Sequence, residues 1–177
     1  MKNIREFNGI MPNIDNSCYI DESAVVIGKV TIGANSSVWC NVVIRGDVSH
    51  INIGSNTNIQ DLTMLHVTHN SKYAPETPLV IGNNVTVGHN SCLHACTIHD
   101  NVLIGMGSTI LDNVTIQKNV MIGAGSLVPP NKKLESGYLY LGNPVKQIRL
   151  LTHDEIEFLM YSATHYVNLK STYTLRL

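Results

Sequence analysis

The chain of 177 residues is long enough to bury one continuous hydrophobic core without disulfides, and it suits a single domain. Its formal net charge of -1, with 14% charged residues, gives no broad basic surface, which argues against nucleic acid and anionic membranes as partners. No stretch approaches the length that crosses a bilayer and the N-terminus lacks a continuous apolar segment, so we expect a cytoplasmic protein.

An aliphatic residue recurs every six positions through most of the chain. Four positions after most of these slots stands a small or β-branched residue, with His69 as the exception. A period of six fits one short strand and a corner, with the slot pointing inward, whereas an amphipathic helix has a period of about 3.6. The sequence therefore predicts a mostly β chain, a parallel β-helix over residues 1–130. The slots are Ile20, Val26, Ile32, Val38, Ile44, Ile53, Ile59, Leu65, Ile81, Val87, Leu93, Ile98, Ile104, Ile110, Ile116, Ile122 and Val128.

Three breaks interrupt the period. The next slot comes nine residues after Ile44, sixteen after Leu65 and five after Leu93. The longest break predicts a loop excursion at about 67–80. Loops inserted into a rigid stack are common places for functional residues.

The repeat ends at Pro129 and Pro130, and we predict a connecting loop over residues 131–151. Thr152 and Glu155 have the spacing of a capping box. We therefore predict a C-terminal helix over residues 152–177 that packs along the β-helix, so that the whole chain forms one domain. Its apolar stripe comprises Ile156, Leu159, Ala163, Tyr166 and Val167.

Stacking the repeats coil on coil predicts which side chains become neighbours. With each break taken as a loop within one repeat, one face gathers an outward column of Ile27, Arg45, His66, His94, Leu111 and Pro129. Adjacent coils are about 4.8 Å apart. We therefore expect His66 and His94 to lie side by side, at a separation that suits two nitrogen ligands of one metal ion.

A second face carries another outward column, comprising Glu22, Cys40, Asp61, His89, Met106 and Ala124. One chain could hardly bring His89 to the other two histidines, so we predict a homotrimer in which His89 of one subunit completes the site of the next. Three neutral imidazoles with an open fourth position are typical of catalytic zinc, which lowers the pKa of a bound water towards about 7. Iron and cobalt accept the same ligands.

The same subunit contact should pair Arg45 with Asp61 of the partner subunit, because these residues belong to the two histidine columns. Gln60 lies beside Asp61. It could bond to water or to a substrate oxygen, or it could be an ordinary polar residue of the interface.

Several segments carry the resemblance to a known family: VVIRGDV (42–48), TNIQDLTMLHVTH (57–69), IGNNVTVGHNSCLHACTI (81–98), LIGMGSTILD (103–112) and YLYLGNPVKQIRLLT (138–152). Together they resemble the gamma-class carbonic anhydrases, a group of hexapeptide-repeat proteins, and the last is similar to the bacterial, short-loop branch. The resemblance covers nearly the whole chain. It implies that the coil is left-handed, although crossovers between parallel strands are generally right-handed.

The resemblance also implies a zinc-dependent lyase and assigns its residues. The metal ligands it implies are His66, His89 and His94. The residues implied to serve trimer assembly and to support the site are Arg45, Asp47 and Asp61. Those implied to position solvent or bicarbonate are Gln60 and Asn58. The tyrosine implied to approach the metal from near the C-terminus is Tyr161.

The implied mechanism is attack of metal hydroxide on CO2 to give bicarbonate, with a proton then passed to buffer. Residues 67–80 offer only Glu76 as an acidic group, and His69 is either a proton shuttle or a packing residue of the loop. Three alternatives use the same fold: a metal-dependent hydrolase of a thioester or another activated carbonyl, a hexapeptide acyltransferase, and a trimeric scaffold without catalysis.

Overall fold

The computed structural model of the protein describes residues 3–174. The outermost residues of the predicted β-helix and helix, 1–2 and 175–177, lie outside this range. The elements, in chain order, are β1 (Ile4–Arg5), β2 (Asn13–Ile14), β3 (Tyr19–Ile20), β4 (Val25–Ile32), β5 (Ser37–Val38), β6 (Val43–Ile53), β7 (Asn58–Ile59), β8 (Met64–His66), β9 (Leu79–Ile81), β10 (Thr86–Val87), β11 (Cys92–His94), β12 (Thr97–Ile98), β13 (Val102–Ile104), β14 (Thr109–Ile110), β15 (Thr115–Ile116), β16 (Val120–Ile122), β17 (Leu127–Val128), β18 (Lys133–Leu134), β19 (Tyr138–Gly142), β20 (Val145–Leu150) and α1 (His153–Thr174).

The strands pair in parallel from coil to coil and form three faces, so the predicted mostly β, parallel β-helix with a C-terminal helix is confirmed. The first face stacks Val26, Ile44, Leu65, Leu93, Ile110 and Val128 in register. The second face stacks Ile20, Val38, Ile59, Val87, Ile104 and Ile122. The third face stacks Ile32, Ile53, Ile81, Ile98, Ile116 and Leu134.

These slot residues form one continuous core along the coil axis. All of them are buried except Ile20, in the first coil, which is partly exposed. Burying a large aliphatic side chain contributes about 1.5–3 kcal/mol, so the regular row of slots is the main source of stability.

The backbone has a left-handed conformation at the corners of the coils, and asparagine occupies most of these positions. Asn tolerates positive φ better than other residues with a side chain. Glycine occupies two further corners, at Gly107 and Gly125, and the corner residues with positive φ that are neither Asn nor Gly are Leu62, with φ 63° and 59% exposed, and Ala95, with φ 46°. The corner asparagines with positive φ are Asn35, Asn41, Asn56, Asn84, Asn90, Asn101, Asn113, Asn119 and Asn131.

The nine-residue break after Ile44 is a bulged strand, not a loop. Strand β6 continues through it, and its register against β4 shifts between Gly28 and Val30. The extra residues leave Ser49 fully buried, whereas Val48, the β-branched residue four positions after the Ile44 slot, is 38% exposed. At the five-residue break after Leu93 the interior position likewise belongs to Cys96.

The sixteen-residue break is the predicted excursion. The chain leaves the coil after β8 and returns at β9, and we call residues 67–78 the excursion loop. An antiparallel bridge between Thr68 and Thr77 closes its base. The loop therefore leaves the end of the first face and returns at the start of the third face.

The prediction of a connecting loop over residues 131–151 is wrong, because this segment contains β18, β19 and β20. Strand β19 continues the second face in parallel with β16, and β20 then folds back antiparallel to β19. The prolines at 129 and 130 fall just after β17, at a corner where no strand is interrupted.

Helix α1 begins with the predicted capping box. The Thr152 Oγ1 accepts a bond from the Glu155 N–H at 3.2 Å, and the Glu155 carboxylate accepts one from the Thr152 N–H at 2.9 Å. The helix packs against the first coils of the second face, burying Leu159 and Ala163, whereas Ile156 of the predicted stripe is 39% exposed. No helix among residues 3–174 is long and apolar enough to span a membrane.

Candidate metal centre

His66 and His94 occupy adjacent strands of the first face and pair directly in register. The Nδ1 of His66 lies 3.1 Å from the Nε2 of His94. Two ligands of a tetrahedral zinc ion, each with a bond of about 2.0–2.1 Å, are themselves separated by about 3.3 Å. The two imidazoles therefore already have the spacing of metal ligands.

Each of these imidazoles faces a carboxylate with its other nitrogen. The His66 Nε2 lies 3.1 Å from the Asp47 Oδ1, and the His94 Nδ1 lies 2.7 Å from the Asp112 Oδ1. Ionised carboxylates only accept hydrogen bonds, so these nitrogens carry the protons. Two lone pairs then face each other across 3.1 Å, an arrangement that a bound cation stabilises.

Burial and neighbouring charges favour this protonation pattern. Burial lowers the pKa of His66, with Arg45 adding to the effect, and so favours the neutral imidazole. Burial opposes ionisation of Asp47, but hydrogen bonds from Arg45 and His66 outweigh it and hold the pKa of Asp47 below its usual value. The extra residues of β6 bring Asp47 to this position.

Sequence reasoning gave Asp112 no role. It accepts from His94 and, through its Oδ2, from the Thr68 hydroxyl at 2.5 Å. A signal was available, since Asp112 directly follows Leu111, which continues the column of His66 and His94 into the next coil.

His89 lies apart, beyond β10 on the second face. Its Nδ1 is 2.8 Å from the Asp61 Oδ2, so, like the other two histidines, it faces a carboxylate. Within the described part of this single chain, no group of three His, Cys, Asp or Glu side chains could hold a metal ion. The chain thus brings together two of the three predicted ligands, and a subunit contact for the third stays a prediction.

Arg45 contacts Asp47 within the chain and is 45% exposed. Asp61, its predicted partner on another subunit, bonds to His89 and is 37% exposed. Both side chains are therefore accessible in the single chain, and their pairing across an interface stays a prediction.

A cavity of about 430 Å³ lies beside His89, between the second face and α1. Gln60, Thr86 and Ser162 give it polar groups, and its other walls are mainly apolar. The large apolar residues that line it are Leu103, Ile104, Met106, Met121, Ile122 and Phe158.

A chain of hydrogen bonds holds the Gln60 amide in the cavity wall. Gln60 Nε2 donates to Asn58 Oδ1 at 3.0 Å, and Asn58 Nδ2 donates to Thr86 Oγ1 at 3.0 Å. The Thr86 hydroxyl lies 3.0 Å from that of Ser162 on α1. Asn58 is fully buried and does not line the cavity, so it acts on the cavity only through Gln60 and Thr86.

Tyr161 is not brought to the candidate metal ligands of its own chain. It lies on α1 with 63% of its surface exposed, and its ring packs 6.0 Å from those of His165 and Phe158. Of these residues only Phe158 lines the cavity. On the excursion loop, His69 is exposed and Glu76 accepts a bond from Ser49 at 2.9 Å.

Residues 95–130 match a family model described as "Bacterial transferase hexapeptide (six repeats)". Protein YrdA of Escherichia coli strain K12 is 57% identical over 96% of this chain and 93% of its own length. The carbonic anhydrase of Geobacillus kaustophilus is 44% identical over 86% of this chain and 81% of its own length. Gamma carbonic anhydrase 2, mitochondrial, of Arabidopsis thaliana is 46% identical over 89% of this chain, which spans 57% of that relative.

Two solved structures are similar over almost their whole length. A hexapeptide transferase family protein from Anaplasma phagocytophilum has a TM-score of 0.91 and 39% identity, over 98% of this chain and 99% of that one. A Bacillus cereus protein described as a candidate acetyltransferase has a TM-score of 0.93 and 40% identity, over 98% of both chains.

Proposed function

Because the chain belongs to the gamma carbonic anhydrase family of hexapeptide-repeat proteins, we propose that it hydrates CO2 to bicarbonate with a metal ion held between the subunits of a homotrimer. The observation that carries this proposal is the pair of imidazole nitrogens 3.1 Å apart, each on a ring whose other nitrogen faces a carboxylate. Metal-ligating histidines have this pattern, because the carboxylate fixes the tautomer and strengthens the ligand.

His66 and His94 would hold the ion from one subunit, and His89 from the next. When bound, zinc supplies Lewis-acid chemistry that makes hydroxide available from water near neutral pH, and iron or cobalt could replace it. Asp61 lies 2.8 Å from the His89 Nδ1 and so leaves Nε2 as the ligand atom of that imidazole.

Gln60 is the residue best placed to orient a substrate beside His89. Its bond to Asn58 uses one N–H of the amide, which leaves the second N–H to donate to an oxygen of CO2 or bicarbonate and the Oε1 to accept from the hydroxyl of bicarbonate. The amide is 5% exposed and fixed by its partner, so it needs little reorganisation. The apolar walls of the cavity suit an apolar gas.

The size of the cavity favours a second candidate. A volume of about 430 Å³ lies in the range of pockets for small organic ligands, far above what a triatomic molecule needs. The same metal site could therefore hydrolyse a thioester or another activated carbonyl. Acyl transfer, suggested by the relatives described as transferases, gives no reason for three histidines that are each paired with a carboxylate.

Metal content and CO2 hydration, measured together, test the proposal. Wild type is compared with His94→Ala and with His99→Ala, a matched control on an exposed histidine. We expect bound zinc, iron or cobalt and measurable hydration in wild type and His99→Ala, and loss of both in His94→Ala. Wild-type hydration no faster than that of His94→Ala, with metal bound, refutes the CO2 assignment and directs the search to thioesters.

Sedimentation of Arg45→Ala tests the interface. We expect this variant to dissociate at concentrations where wild type is a trimer and to lose metal, because the site needs His89 of the partner subunit. An intact, metal-loaded Arg45→Ala trimer contradicts the role of Arg45, and a monomeric wild type contradicts the shared site.

A further inference from the structure

Asp112 uses both of its carboxylate oxygens, and they serve different parts of the molecule. Its Oδ1 lies 2.7 Å from the His94 Nδ1, and its Oδ2 accepts the Thr68 hydroxyl at 2.5 Å. The residue follows β14, one coil beyond His94, and its side chain is 34% exposed. One carboxylate thus joins a candidate metal ligand to the first residues of the excursion loop.

Thr68 and its neighbour across the loop form the base of the excursion. The Thr68 N–H donates to the Thr77 carbonyl at 3.1 Å, and the Thr77 N–H donates back at 3.0 Å. The Thr77 hydroxyl also reaches the Asn113 side chain at 3.5 Å. The side chains of Asp112 and Asn113, which are consecutive, therefore bond to Thr68 and Thr77, the two sides of the loop base.

The rest of the loop bonds within its own tip and to β6. Its tip turns at Ser71, whose N–H donates to the Ala74 carbonyl at 2.9 Å, and Tyr73 is 86% exposed. On the return side, Glu76 accepts from Ser49 of β6 at 2.9 Å. The Thr68 contact with Asp112 is the one that leads directly to a candidate metal ligand.

We propose that Asp112 is a positioning residue that couples the docking of the excursion loop to the orientation of His94, so that loop closure and metal binding stabilise each other. This inference rests on the proposed metal site at His66 and His94. With Thr68 bonded, Oδ1 stays aimed at the His94 Nδ1–H, and the Nε2 lone pair is held towards His66. Because linkage is reciprocal, an ion that fixes His94 also fixes Asp112, and through it the loop base.

The key variant is Thr68→Val, which removes the hydroxyl but leaves every group that faces His94. We expect it to weaken metal binding by about fivefold or more, the usual scale of coupling between two sites. Asp112→Ala should weaken binding about 10- to 100-fold, as removal of an outer carboxylate does. Thr31→Val, an exposed threonine of β4, is the matched control and should bind metal like wild type. Competition with a chromogenic chelator measures all four dissociation constants for zinc.

The rate of trypsin cleavage after Lys72, an exposed residue near the loop tip, measures how firmly the loop is docked. In metal-free protein, Thr68→Val and Asp112→Ala should be cut faster than wild type and Thr31→Val. Added zinc should slow the cut in wild type and Thr31→Val, and not in the two test variants. Mass spectrometry of the Lys72 fragment separates this cut from cleavage elsewhere.

The outcomes separate this inference from the proposed function. If wild type binds zinc but Thr68→Val binds it equally well, or if zinc does not change the cut at Lys72, the coupling is refuted while the metal site stands. If wild type binds no zinc, iron or cobalt, the metal site and the coupling both fail.

Discussion

Asn58 lies in the middle of the hydrogen-bonded series that runs from Gln60 through Thr86 to Ser162 behind the cavity. Its replacement by alanine tests that series. The side chain is fully buried, accepts from Gln60 and donates to Thr86. Asn58→Ala leaves the Gln60 amide, 5% exposed, without its acceptor. A buried donor without a partner costs about 1–3 kcal/mol.

The effect on Thr86 should be smaller, because its hydroxyl keeps Ser162 as a partner at 3.0 Å. Losing one bond of that kind costs about 0.5–1.5 kcal/mol. We therefore expect Asn58→Ala to lower the free energy of unfolding by about 2–4 kcal/mol, and Ser162→Ala by about 1 kcal/mol. Asn58→Ala combined with Gln60→Ala should cost about 1–2 kcal/mol less than the sum of the single changes, because the orphaned donor is then absent.

Urea unfolding followed by tryptophan fluorescence measures these differences. Trp39 is the only tryptophan, is 5% exposed, and packs against Tyr166 and Tyr173 of α1, so its emission reports loss of the contact between helix and coil. All variants are compared at one protein concentration, because association also contributes to stability. Strict additivity of the double replacement, or a cost of Asn58→Ala below about 0.5 kcal/mol, refutes the claim that Asn58 holds Gln60.

Two further predictions concern the corner at Leu62 and the start of α1. Leu62→Gly should raise the free energy of unfolding by about 1 kcal/mol, because the φ of Leu62 is 63° and the residue is 59% exposed. The control Asn41→Gly, at φ 57°, should change the free energy of unfolding by less than about 0.5 kcal/mol. Equal urea midpoints for Leu62→Gly and wild type contradict this prediction. Hydrogen bonds from Arg149 and then from the Thr152 N–H lower the pKa of Glu155 to about 2 from 4.5, so its stabilising effect is complete above pH 4.5 and is lost as pH falls towards 2. Thermal unfolding should therefore show a deficit of Glu155→Gln that is constant above about pH 5 and shrinks in acid, and a deficit independent of pH contradicts the assignment.

The register of the coil could be predicted because each face repeats one slot. A slip would expose Leu65 or Leu93, so the hydrophobic pattern fixes which residues stack, and His66 and His94 follow directly. The nearness of these two histidines was therefore available from spacing alone.

The structure at the breaks in the period is harder to predict from the sequence, because the number of inserted residues does not determine how the chain accommodates them. The nine-residue step from Ile44 to Ile53 is accommodated by a bulge, which places Asp47 beside His66 and leaves Ser49 buried. A bulge and a loop of equal length differ in local backbone angles that no side-chain pattern reveals. The contact between Asp112 and His94 was not predicted for a related reason. Whether the carboxylate reaches the imidazole depends on the backbone geometry of the corner between two coils.

The end of the coil differs from the sequence prediction, because Pro129 and Pro130 do not end the regular structure. In a β-helix a proline at a corner breaks no ladder, and the segment beyond continues with alternating aliphatic and aromatic residues such as Tyr138 and Tyr140. The position of Tyr161 relative to a metal depends on subunit packing, which a single chain does not determine.

The reversal of direction at β20 affects how copies of the chain can grow into larger structures. A stack of parallel coils ends in a row of unpaired backbone groups, which invites the first coil of another copy and leads to fibres. Here the last strand on the second face, β20, runs antiparallel to β19, which is its one partner strand within residues 3–174, and carries Lys146 and Arg149. On this face an incoming parallel coil would meet a charged strand that runs in the opposite direction, which disfavours end-to-end stacking of copies through the second face.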